Sequence, residues 1–100
     1  MLRELRARDA IGRLIALYGQ LLDDLRLDDW GELFTDDAVW RIPGITFEGR
    51  AEIKRGVGDM EPPQPGRVKH MSFTPVIDFE SGSRARAWTD QVALHCPEDT

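Results

Sequence analysis

The last third of the chain alternates between apolar and polar positions. From His70 to His95 the run HMSFTPVIDFESGSRARAWTDQVALH reads as two extended segments joined at Ser81-Gly82, which predicts a β-hairpin. With Ser81 and Gly82 as the loop, Glu80 faces Ser83 and Phe79 faces Arg84. A four-residue loop from Glu80 to Ser83 gives the same register. In both cases His70 lies opposite Ala93, and His95 is one diagonal step away. Side chains alternate across a strand, so His70, Ser72, Thr74, Ala87, Thr89, Gln91, Ala93 and His95 share one face. Met71, Phe73, Ile77, Phe79, Trp88, Val92 and Leu94 form the other. Diagonal neighbours sit ~7–8 Å apart at the backbone, near enough for two imidazoles to serve one small ligand. Pro75 bears on this count, because proline cannot donate to a ladder and marks edges and bulges. A bulge there would turn His70 and His95 to opposite faces, leaving His70 a surface or core histidine at a strand start.

The first quarter follows the helical period instead. Ile11, Leu14, Ile15, Tyr18, Leu22 and Leu25 recur at helical spacing, with Leu17 and Leu21 widening the stripe, and predict an amphipathic helix from about Leu5 to Leu25. Ala16, Gly19 and Asp23 form a second row along one edge of that stripe, where small residues leave space over whatever the helix covers. On an ideal helix Asp23 and Asp24 point roughly 130° from the stripe centre. That geometry favours solvated carboxylates, and only the small-residue row sets Asp23 apart.

Between these two patterns the elements are shorter. Asp28 to Phe34 reads as a second helix with an acidic start suited to the helix dipole, and with Trp30, Leu33 and Phe34 as its core face. Ala38 to Ile42 reads as a strand, Pro43-Gly44 as a turn, and Ile45-Thr46-Phe47 as extended. A third helix runs from Ala51 to about Val57, facing the core with Ile53 and Val57. Glu61-Pro-Pro-Gln-Pro-Gly66 is a loop by composition, a connection or the lip of a pocket. After His95 come Cys96 and a polar tail to Thr100.

Composition narrows the function classes. One hundred residues, 41% of them hydrophobic, suffice for one domain with one core. A net charge of −5 argues against a nucleic-acid surface, and the arginines among the first eight residues belong to a solvated helix start. No apolar run reaches membrane-spanning length and no signal-peptide centre is present, so a cytoplasmic protein is the default expectation. Cys96 has no internal disulfide partner, and one Cys with two His is a poor zinc set. A metal site built from Asp23, His70 and His95 lacks a further imidazole or carboxylate on the same wall, so no metal or other cofactor is expected.

The run LLDDLRLDDWGELFTDDAVW, followed by FEGRAEI and a strand opening with a histidine, resembles the SnoaL-like branch of the nuclear transport factor 2-like superfamily across roughly Ile11 to His95. The resemblance implies an α+β fold, a cone-shaped roll in which a long N-terminal helix and shorter ones pack in the hollow of a curved antiparallel sheet. Members include polyketide cyclases, scytalone dehydratase, a hexachlorocyclohexane dehydrochlorinase, steroid isomerases and the β subunits of aromatic-ring dioxygenases. It implies that Asp23 matches the helix aspartate of the dehydratase-type members, that His70 matches their catalytic histidine, and that His95 matches a second histidine on the neighbouring strand. Tyr18, Trp40 and Phe47 are candidate substrate contacts. The family domain continues for two or more strands beyond Thr100, so the expectation is a single domain over residues 1–100 lacking its closing strands, as a fragment or completed by a partner.

An Asp–His pair without metal supports proton abstraction, since a neutral imidazole is a competent base near neutral pH. The expected arrangement has His70 as base, Asp23 orienting it, and His95 or Tyr18 donating to a developing oxyanion. The reaction would be an elimination, isomerisation or cyclisation on a small hydrophobic cyclic molecule. The competing expectation is a non-catalytic ligand-binding domain, or a structural subunit like the dioxygenase β chain. The apolar sheet face predicts a homo-oligomer, dimer or trimer, in either case.

Overall fold

The computed structural model of the protein describes residues 2–96; Met1 and the tail Pro97 to Thr100 lie outside the described residues. Helix α1 (Leu2–Asp23) stops two residues before the expected Leu25. The reason is local: Leu25 takes a left-handed backbone, φ 55°. Arg26 N–H donates to the Leu21 carbonyl at 2.9 Å and Leu25 N–H to the Leu22 carbonyl at 3.0 Å. This paired bond ends a helix and satisfies its last carbonyls, here without the glycine usual at that position. Holding leucine there costs about 1–2 kcal/mol, and its only local return is to fix where α1 ends.

Helix α2 (Leu27–Gly31), strands β1 (Val39–Ile42) and β2 (Ile45–Glu48), and helix α3 (Arg50–Met60) follow in the expected order, with α3 starting one residue earlier and ending three later than expected. Leu22, Trp30, Ile53 and Val57 make the buried core, ringed by Tyr18, Leu21, Leu27, Leu33, Phe34, Ala38, Trp40 and Phe47. Trp30 is wholly buried, and its ring lies against those of Tyr18 and Phe34. The Arg50 guanidinium donates to the Phe34 carbonyl from Nε and Nη2 and pairs with Asp36, which pins the α2–β1 connection to the start of α3.

The C-terminal third has four strands where two were expected: β3 (Val68–Ser72), β4 (Val76–Ser81), β5 (Arg84–Trp88) and β6 (Gln91–His95). All pairings are antiparallel, β1 with β2, β3 with β6 and β4 with β5. The fold is α+β, with α1 lying across the sheets.

The turn falls on Gly82-Ser83, with Ser81 opposite Arg84, one residue later than expected. Continued unbroken, that register would set Ser72 opposite Ala93. Two one-residue slips intervene. A bulge between Phe79 and Ser81 brings Phe79 opposite Ala85. Then three residues, 73–75, on one strand answer two, 89–90, on the other, between the pairs Val76–Trp88 and Ser72–Gln91. Phe73 N–H to the Asp90 carbonyl (3.1 Å) and the Thr89 hydroxyl to the Phe73 carbonyl (2.5 Å) hold the break at Pro75 together. His70 therefore does pair with Ala93.

The same slips correct one expectation. Ile77 pairs with Ala87 and Phe79 with Ala85, so these two side chains share a face with the alanines, not with Trp88. Phe79 turns beneath α1, where the Arg8 guanidinium lies 5.0 Å from its ring centroid. The outer face carries Met71, Phe73, Val76, Trp88, Val92 and Leu94, all exposed.

One contact in the core sets the distance between α3 and β2. A Cβ added at Gly56 would come within 2.4 Å of the Phe47 ring, and Phe47 cannot retreat because it stacks on Trp40, ring centroids 5.6 Å apart. Gly56→Ala gains helix propensity of about 0.5–1 kcal/mol but overpacks the core by about 1–3 kcal/mol. The expected net result is a lower Tm by thermal unfolding, restored in part by pairing Gly56→Ala with Phe47→Leu.

Candidate active site

Asp23 is the last residue of α1, and its carboxylate is almost completely enclosed, 2% exposed. A helix C-terminus is the negative end of the dipole, and α1 has no basic residue in its last turn. The compensation comes from β3. Backbone N–H of His70 donates to Oδ2 at 2.9 Å, and His70 Nδ1 lies 2.5 Å from Oδ1. An ionised carboxylate only accepts, so the proton of this short bond sits on Nδ1, and in the neutral ring Nε2 carries the lone pair. Among the described residues no hydrogen bond reaches Nε2.

Close approach of helix and strand makes the pair possible. Gly19, one turn before Asp23, lies against His70: an added Cβ would stand 3.2 Å from its carbonyl oxygen and 3.4 Å from its Cβ. The small-residue row thus gives close contact at Gly19, and Ala16 and Gly19 also line the open hollow expected over it. Asp23 is likewise buried, where the helical-wheel angle favoured solvent; Asp24 is exposed. A third tether comes from the proline loop, whose Gly66 N–H donates to the Asp23 carbonyl at 2.9 Å.

His95 pairs with Val68 across the ladder, two residues beyond Ala93, so its side chain leaves the sheet on the same side as that of His70. It is the more exposed of the two. Tyr18 stands one turn before Leu22. Its hydroxyl accepts a hydrogen bond from Trp40 Nε1 at 2.7 Å, leaving the phenol's own proton to donate. Burial pushes the Tyr18 pKa up, the Trp40 bond opposes this, and the nearby Glu61 charge adds to the rise. Trp40 and Phe47 stand one layer behind Tyr18, stacked on each other.

Of two open hollows along α1, the first touches His70, and the second, which shares Ile15 and Ser72 with it, touches neither member of the pair. One of about 340 Å³ runs between α1 and β3, with Gly19, His70 and Ser72 in its lining. The other, of about 640 Å³, is lined by Leu14, Ile15, Tyr18, Arg41, Ser72, Ala87, Thr89 and Gln91, and is of a size that takes small organic molecules. Neither lining includes Trp40 or Phe47. Arg41, not singled out in the sequence, brings a positive group into the larger hollow. Among the described residues no three His, Cys, Asp or Glu side chains are grouped as a metal site.

Glu61 was not singled out in the sequence. It follows α3 directly and is half-buried. Its charge interacts with those of His70, Asp23 and His95. Burial pushes its carboxyl pKa up; His70 opposes this, Asp23 adds to it, and His95 opposes it. The sequence signal was only its place, a lone carboxylate between a helix end and the strand that opens on His70.

The fold and this site define a class: a helix-over-sheet α+β domain with a buried aspartate–histidine pair beside an open hollow. The chain belongs to the SnoaL-like domain family, which matches residues 3–100. A solved structure from Novosphingobium aromaticivorans DSM 12444, "Putative Scytalone Dehydratase", superposes with a TM-score of 0.81 at 22% identity, covering 96% of this chain and 64% of its own. The present chain therefore spans less than two thirds of that neighbour's length, and the likeness establishes the shared fold. No curated protein matches significantly. No described helix is long and apolar enough to cross a membrane.

The raised Glu61 pKa carries a sign. The folded state holds that proton more tightly than the unfolded chain, so ionising Glu61 costs stability as pH rises from its unfolded value through its folded one. Glu61→Gln removes the cost. Its Tm is expected to exceed the parent's at pH 7–8, with the difference shrinking toward pH 4; equal Tm values across this range would contradict the assignment.

Proposed function

We propose that this domain is a cofactor-independent dehydratase or isomerase that abstracts a proton from carbon next to a carbonyl in a small, largely hydrophobic cyclic molecule. One observation carries the reading: Asp23 takes both the backbone N–H and the Nδ1 of His70, which fixes the tautomer that presents Nε2 as a base. Asp23 itself is too enclosed to meet a substrate, so it orients the ring and stabilises the imidazolium as it forms. Tyr18, whose oxygen accepts from Trp40 and whose own proton is left to donate, is the proposed donor to the enolate oxygen that develops, with His95 as the other candidate. Trp40 and Phe47 act through Tyr18, as the packed layer behind it. General-base transfer supplies about 10²–10⁴-fold; positioning in the hollow must supply the rest.

A cyclic β-hydroxyketone such as 3-hydroxycyclohexanone tests this without knowledge of the native substrate. In D₂O, NMR reads exchange of its α-protons and ultraviolet absorbance reads formation of the enone. The parent protein is expected to speed the exchange. His70→Ala should abolish the effect and Asp23→Asn should lower it by about 10²-fold or more. Exchange unchanged in His70→Ala would overturn the reading.

The outer sheet face favours a second reading, compatible with the first. Phe73 and Trp88 are more than half exposed there, an apolar patch of the sort that monomers rarely leave open. We propose that a second copy of this chain covers it, giving a homodimer or homotrimer, as in a structural subunit. Light scattering should then show an oligomer for the parent and a smaller species for Trp88→Lys; a monomeric parent would dismiss the proposal.

A further inference from the structure

The larger hollow carries a charge that the proton-abstraction chemistry leaves unused. It opens where β1, α1, β3 and the β5–β6 connection come together, and among the described residues that line it Arg41 alone is charged. Leu14, Ile15 and Ala87 give the hollow its apolar part, with Tyr18 and Ser72 beside them.

Among the described residues Arg41 makes no hydrogen bond and no ion pair, although the chain has 18 acidic side chains against 13 basic ones. Its cross-strand neighbour is Thr46. Glu48, two residues farther along β2 on the same face, stands within diagonal reach of a long side chain. The two nonetheless do not pair, and Glu48 lines a separate hollow at the start of α3. The uncharged polar groups around Arg41 also have protons to give. Tyr18 accepts from Trp40 and keeps its own proton to donate. Ser72 accepts from the Gln91 amide at 3.3 Å and is left with its hydroxyl proton in the same way. The Thr89 hydroxyl is already spent on the Phe73 carbonyl. A guanidinium and two hydroxyl donors beside an apolar surface suit an anion carried on a hydrocarbon body.

We infer that the larger hollow binds a small organic carboxylate, with Arg41 gripping the acid group and Leu14, Ile15 and Ala87 against the ring. A planar guanidinium fork matches a carboxylate in a way that a point charge does not. Ile15 and Ser72 line both hollows, and Ser72 leaves β3 on the same side as His70, two residues before it. A molecule anchored at Arg41 thus extends toward the base, with its charge held away from it. The inference names a substrate class for the proton abstraction proposed above and rests on that reading for turnover, though not for binding.

The test uses 3-oxocyclohexanecarboxylate and its uncharged analogue 3-oxocyclohexanecarboxamide on the whole chain. NMR titration reads each Kd, and α-proton exchange in D₂O is read on the same samples. The parent is expected to bind the carboxylate about 10-fold or more tightly than the amide, and added salt should erode that preference. Arg41→Gln should bring the carboxylate down to the affinity of the amide. The amide's own affinity and the Tm should not move, since Arg41 bonds to none of the described residues. Arg41→Lys, which keeps the charge and loses the fork, should restore part of the preference. No binding of the carboxylate, or equal affinity of the parent for both compounds, would overturn the inference. So would a preference that survives Arg41→Gln, or loss of both ligands together in that variant. Selective binding without exchange in the parent would defeat the base assignment for His70 and leave the carboxylate site standing.

Discussion

A carboxylate buried at the wrong end of a helix is the constraint on which this structure turns. Asp23 closes α1, where the dipole is negative, and is removed from water. An ionised group in such a place is tolerated only with hydrogen bonds to both oxygens. His70 supplies both, one from the backbone and one from the ring. That requirement fixes the distance from α1 to β3, and the distance in turn requires Gly19, where a side chain would meet the strand backbone. It also fixes where α1 ends, and so the left-handed Leu25 and the tether from Gly66 to the Asp23 carbonyl. Helix terminus, strand and loop therefore meet at one residue, and the site lies where they meet.

Much of this was legible in the sequence, for identifiable reasons. Helical periodicity located α1, and Trp30, Ile53 and Val57 proved to be core because each sits on the apolar side of a short helix. The His70–Ala93 pairing was legible although the turn was misplaced: two slips of one residue each return the strands to the same alternation. The face of Ile77 and Phe79 was not, since those residues lie between the slips, where the alternation is out of step by one. Neither bulge leaves a mark in the hydrophobic pattern beyond Pro75.

The burial of Asp23 was hidden for a different reason. A helical wheel averages over the whole helix, whereas α1 is covered unevenly. Leu2, Leu5 and Leu14 are exposed along its first two thirds, and Gly19, Leu22 and Asp23 are buried at its end. The centre of the stripe from Ile11 to Leu25 points away from the face that matters at the C-terminus. The raised pKa of Glu61 was illegible because it depends on neighbours in space. Periodicity carries no information in a proline-rich loop, and the residues it faces are remote in sequence.

The ionisable groups of the site differ in their access to water, and this separates their roles more sharply than residue type does. Asp23 is sealed and doubly bonded, so it can polarise a neighbour but cannot exchange protons with a substrate. The His70 side chain is 16% exposed; one nitrogen is committed to Asp23 and the other is free of any hydrogen bond among the described residues. Glu61 is half-buried and unpaired, a condition that disfavours its charged form and so opposes stability at neutral pH. Folding alone gives no reason to keep a carboxyl there, and an amide of the same shape would fit without the penalty. A scaffold shared by many activities does not specify a reaction. What this chain adds to that scaffold is a sealed carboxylate bonded to a half-committed imidazole at the close of α1.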